Sequence, residues 1–161
     1  MAGGGYNSGT SEAEIFDPAT LKWTATARMA AYRVQHTATL FPDGRVLVVG
    51  AHSNSDSNPN PSAEWFDPVA GRWLPAAPLV HPRQGHSATL LPNGRLLVAG
   101  GIEMNGGALL APTELYDPVT QTWTLAAPLR TLRSGGTAVT LPGGEVLLLG
   151  PGTLQVEVYQ P

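Results

Sequence analysis

Apolar residues in this chain cluster in short runs between glycines and prolines. Three runs are apolar on consecutive positions after a charged first residue: "RVLVVG" ending at Gly50, "RLLVAG" ending at Gly100 and "EVLLLG" ending at Gly150. Successive strand residues point to opposite faces, so a strand on a sheet with one wet face alternates apolar and polar side chains. A strand that is apolar throughout has both faces covered. Around the middle run the pattern predicts four strands. The first covers about Arg83 to Leu91. Pro92-Asn93-Gly94 then makes a hairpin turn, with Asn-Gly tolerating positive φ at both turn positions. The second strand is Arg95 to Ala99 and ends on Gly100-Gly101. After a loop the third strand, "TELYDP", runs from Thr113 to Pro118, where proline stops the ladder because it cannot donate. The fourth opens with Thr122-Trp123.

The same pattern returns every 50 residues. Asp17, Asp67 and Asp117, each followed by proline, keep that spacing. So do Trp23, Trp73 and Trp123; Arg33, Arg83 and Arg133; Gly44, Gly94 and Gly144; and Gly50, Gly100 and Gly150. A unit that cannot bury its own faces is stacked against copies of itself. Four-stranded sheets packed face to face around an axis meet this demand, which is the architecture of a β-propeller.

The order Arg-x-x-His/Gly, then Gly-Arg-(apolar)-Gly-Gly, then Tyr/Phe-Asp-Pro, then Trp resembles the kelch repeat, most of all that of the galactose-oxidase-like group. Its clearest instance is Arg83, His86, Gly94, Gly100, Gly101, Tyr116, Asp117, Pro118 and Trp123. Departures are Ala51 and Pro151 in place of the second glycine, Gly136 in place of the histidine, and Phe16 and Phe66 in place of the tyrosine. The resemblance implies an all-β fold of kelch-type propeller blades, each four-stranded and antiparallel, with about three blades' worth in the 161 residues.

Read this way, residues 1–161 form one kelch-repeat domain, with a partial blade over 1–28, full blades over 29–78 and 79–128, and a partial blade over 129–161. The end pieces are complementary halves, and propellers have roughly four to eight blades. Two arrangements follow. In one, a homodimer closes a six-bladed ring; in the other, the chain is a piece of a longer propeller.

Composition narrows the function classes. Gly 19 and Pro 15 are together about a fifth of the chain, punctuation suited to many short strands. A net charge of -3 gives no basic footprint for nucleic acid or an acidic membrane surface. No run of about 18 apolar residues is present to make a spanning helix. The start "MAGGGYNSGT" lacks the basic and apolar regions of a signal peptide, and the sequence assigns no compartment. With no cysteine there is no thiolate metal site, and the tyrosine–cysteine copper centre of galactose oxidase cannot form, so that oxidase activity is not carried over. No cofactor is expected.

Candidate functional residues each have a structural alternative. By resemblance, Arg33, Arg83 and Arg133 line a central pocket suited to carboxylates or phosphates; alternatively, each pairs with a neighbouring blade's Asp67 or Asp117. His36 and His86 recur at one blade position as channel-lining or structural groups, with no nearby acid to complete a metal site. Gly50, Gly100 and Gly101 read as backbone relief where blades meet. Trp23, Trp73, Trp123 and Tyr116 read as packing, and Asp17, Asp67 and Asp117 as structural. The loops after the second strands vary most, and variable loops on a rigid scaffold are where partners bind. Asn54 and Asp56 in one, and Met104 and Asn105 in the other, are the candidate loop contacts. The expectation is a non-catalytic module binding a peptide, a glycan or a small anion through the central pocket and variable loops; the alternatives are a fragment of a galactose-oxidase-like secreted enzyme and a purely structural propeller-assembly unit.

Overall fold

The computed structural model describes residues 9–50, 63–103, 107–151 and 155–161. Every regular element among them is a strand. The first sheet is a hairpin of β1 (Glu14–Asp17) and β2 (Lys22–Ala25). A four-stranded antiparallel sheet follows: β3 (Thr37–Leu40), β4 (Val46–Val49), β5 (Ala63–Asp67) and β6 (Arg72–Ala76). Next come the short β7 (Arg83–Gln84), then β8 (Ser87–Leu90) and β9 (Leu96–Ala99), then the short β10 (Ile102–Glu103). With β11 (Thr113–Asp117) and β12 (Thr122–Ala126), β8 and β9 make a second four-stranded sheet. The last sheet has three strands, β13 (Thr137–Thr140), β14 (Val146–Leu149) and β15 (Glu157–Tyr159). The described part is thus all-β, built of repeated antiparallel sheets whose chain order is their spatial order.

The sheets stack face to face. Phe41, Leu47, Val49 and Trp65 of one pack against Leu96, Val98, Tyr116 and Trp123 of the next. Leu91, Leu97 and Ala99 in turn meet Val146 and Leu148. β4 and β9 are covered on both sides, as their unbroken apolar runs require. The first strands lie side by side, β3 by β8 and β8 by β13. Backbone bonds at their starts cross from sheet to sheet: Gly85 N–H to Gln35 O at 3.1 Å and Gly135 N–H to Gly85 O at 2.8 Å.

Two local expectations change. The first strand of the middle sheet is broken. Arg83–Gln84 leaves it to pair with Ile102–Glu103, and pairing with β9 begins at Ser87. The hairpin turn is also of another kind. Gly94 alone has positive φ, at 82°, and Asn93 does not. Gly94 N–H bonds Leu91 O at 2.9 Å, and Leu91 N–H bonds Arg95 O at 2.8 Å. This is a three-residue loop with glycine in the left-handed position, and the Asn93 side chain accepts the Arg95 N–H at 3.1 Å.

Candidate functional site

The repeated arginines and the glycines that end the second strands lie together at one end of the sheets, where Arg33, Arg83 and Arg133 precede the first strands. All three are buried, Arg33 and Arg83 completely. Arg83 shows the arrangement in full. Its Nη2 donates to Glu114 Oε1 at 2.8 Å. Its Nη1 donates to the carbonyls of Gly100 and Pro112 at 2.9 and 2.8 Å, one at each end of the loop between β9 and β11. Glu114 also accepts the backbone N–H of Val80 at 2.7 Å and of His81 at 3.0 Å. Arg33 does the same with Glu64 and Gly50 O, and Arg133 with Glu157 and Leu148 O. Burial pulls the Arg33 and Arg83 guanidinium groups below their ordinary pKa, and the partner glutamates pull back.

This corrects the pocket assignment of Arg33, Arg83 and Arg133. Each guanidinium is paired with a glutamate and hydrogen-bonded to backbone carbonyls inside the protein, and that is how desolvated charge is tolerated there. It also corrects the structural alternative, since the partner is a glutamate on the third strand of the same repeat, not an aspartate of a neighbouring blade. Asp17, Asp67 and Asp117 cap the turns that follow them. Asp67 Oδ1 accepts the N–H of Val69 at 2.9 Å and of Ala70 at 3.0 Å, and Asp117 Oδ1 those of Val119 and Thr120. Asp17 accepts Ala19 N–H and the Thr20 hydroxyl. The glutamates were missed by sequence reasoning, yet Glu14, Glu64 and Glu114 share the 50-residue spacing.

His86 is no pocket ligand either. It is 5% exposed, and its Nε2 shares a hydrogen bond with Thr37 Oγ1 of the preceding sheet at 2.8 Å. Burial, then the charge of Arg83 and then His36, lowers its pKa to about 3, so it is neutral at pH 7. His36 is half-buried beside it. Gly50, Gly100 and Gly101 are where sheets meet. A Cβ on Gly100 would lie 2.6 Å from Arg133 O, and one on Gly50 2.7 Å from Arg83 O. Both have positive φ.

The tryptophans form a series. Trp123 is 9% exposed and Trp73 half-buried; each donates its indole N–H to the preceding sheet, to Ala77 O at 2.8 Å and Ala27 O at 2.9 Å. Tyr116 is fully buried beside Trp123. Trp23 departs from its packing assignment. It packs on Phe16 at 5.1 Å between ring centroids but is 51% exposed, with no sheet among the described residues covering its other side.

Compared with models of known protein families and with curated proteins, the chain gives no match. Among the described residues no group of three His, Asp or Glu is placed to hold a metal ion. Asn54, Asp56, Met104 and Asn105 lie outside the described residues. What the described part of this end does offer is apolar. Tyr32, Val80 and Leu132 are about half exposed on the arginine-bearing segments. Leu109, also exposed, bridges to Ile102, which pairs with Gln84 and so brings the loop to the same end. Leu110, by contrast, is buried and donates its N–H to Gly101 O.

Proposed function

We propose that the chain belongs to a kelch-type β-propeller acting as a non-catalytic interaction module, whose loops at the arginine-bearing end hold a peptide or protein segment. The observation that carries this reading is the Arg83 clamp, one guanidinium on Gly100 O, Pro112 O and Glu114. It fixes both ends of a loop while leaving the loop's own sequence free to vary. That is the division of labour expected of a binding scaffold. A buried, already paired guanidinium disfavours a small anion as ligand, and the exposed Tyr32, Leu109 and Leu132 favour an apolar contact. In this reading the ring is closed by a second copy or by the rest of a longer propeller.

The test is an array of peptides and glycans probed with the chain and with a Leu109→Asp/Leu132→Asp variant. Peptide binding by the parent, lost in the variant at an unchanged melting temperature, supports the reading. Peptide binding indifferent to the variant, glycan binding alone, or stoichiometric copper with oxidase turnover overturns it.

A further inference from the structure

The first and last sheets are complementary parts of one unit. In the two full sheets the third strand meets the second in one register, Glu64 opposite Val48 and Glu114 opposite Val98. In the last sheet Glu157 stands opposite Leu148 in the same register. β1 carries Glu14 at the matching position, 50 residues before Glu64, and Glu14 is exposed. Among the described residues β1 pairs with β2 and with no second strand.

The last sheet has the reverse deficit. Beside β15, where the full sheets have a fourth strand, lies a cavity of about 710 Å³ lined by Ala127, Leu129, Leu148, Glu157 and Tyr159. The repeat says what belongs there. Trp73 bonds Ala27 O and Trp123 bonds Ala77 O, so the next tryptophan in the series would bond Ala127 O. The exposed member of that series is Trp23, which rests on Phe16 and is 51% exposed.

We propose that a second copy of this chain docks its β1–β2 hairpin at this edge. β1 replaces β15 on β14, Glu14 takes the Arg133 guanidinium over from Glu157, and Trp23 enters the cavity with its indole N–H on the Ala127 carbonyl. The proposal rests on the propeller reading above. The exchange is charge-neutral, glutamate for glutamate, and can act in both directions across a twofold axis. β15 is the lesser occupant. It has three residues, and its Glu157 side chain is 17% exposed where that of Glu114 is 0%. The hairpin brings a turn-linked pair of strands and covers Phe16 and Trp23, now 41% and 51% exposed. A lone two-stranded hairpin is marginal in water, and the exchange places it in a four-stranded sheet.

Light scattering on the full chain across micromolar concentrations tests this. The parent is expected to dimerise, and Trp23→Ala to raise the dissociation constant at least about tenfold, as loss of a buried aromatic anchor does. The glutamates give the signature. Glu14→Gln should weaken the dimer, while Glu157→Gln should strengthen it by loosening β15 from β14. Trp23 and Glu14 are exposed, so their variants should keep the parent's circular dichroism. If Glu157→Gln fails to fold, those two decide. A dimer indifferent to Trp23→Ala and Glu14→Gln overturns the exchange and leaves the binding reading standing, since the array reads that separately. A monomer throughout overturns the second copy as occupant.

Discussion

Replacing Glu114 with leucine would remove one partner of a pair whose two side chains are both 0% exposed. The Arg83 charge would then stay buried without its counter-ion. Breaking such a pair typically costs about 3–5 kcal/mol. Two backbone donors, Val80 N–H and His81 N–H, would lose their acceptor as well, each worth roughly 1 kcal/mol or more. The expected loss is therefore at the upper end, about 5 kcal/mol, a fall in melting temperature of about 10 °C or more for a chain of this size. The companion Arg83→Met/Glu114→Leu variant removes the stranded charge, so it should recover part of the loss. It should not recover all of it. The carbonyls of Gly100 and Pro112 and the two N–H groups would remain unpaired, which separates this clamp from an isolated ion pair. Urea titration followed by circular dichroism reads both variants. A Glu114→Leu loss under about 1 kcal/mol would refute the claim that the charge is desolvated in the folded state. Full recovery in the double variant would refute the role given to the backbone bonds.

Other predictions follow from single sites. Gly100→Ala, at φ 69° and with its Cβ 2.6 Å from Arg133 O, should cost about 3 kcal/mol, whereas Gly94→Ala, with φ 82° and open space, should cost about 1 kcal/mol, both read by thermal melting. His86 has its pKa lowered from 6.5 to about 3 in the folded chain. The unfolded chain then binds the extra proton between those values, so stability is full above about pH 6.5 and falls toward pH 3, and His86→Gln should flatten that limb of a pH–melting curve. Asp67→Ala removes the acceptor for two turn N–H groups at an exposed site and should cost about 1 kcal/mol in urea titration.

Strand positions were largely legible in the sequence because they depend on local chemistry. A run apolar at every position needs cover on both faces wherever it sits, so β4 and β9 could be read from Val46–Val49 and Leu96–Ala99. Gly94, Pro118 and the fixed 50-residue spacing marked where strands turn and stop. Aspartate after the third strand signals a turn, and there it caps one. The arginines were visible as repeated landmarks, but their meaning was not. Whether a guanidinium faces solvent or a buried carboxylate depends on a residue 31 positions away, as with Arg83 and Glu114, brought close by strand pairing. Arg133 finds its glutamate at 157, a different separation, because distance in space decides and distance along the chain does not. The exposure of Trp23 follows the same rule. Its repeat position matches that of Trp123, and only the stacking of sheets buries one and leaves the other in water.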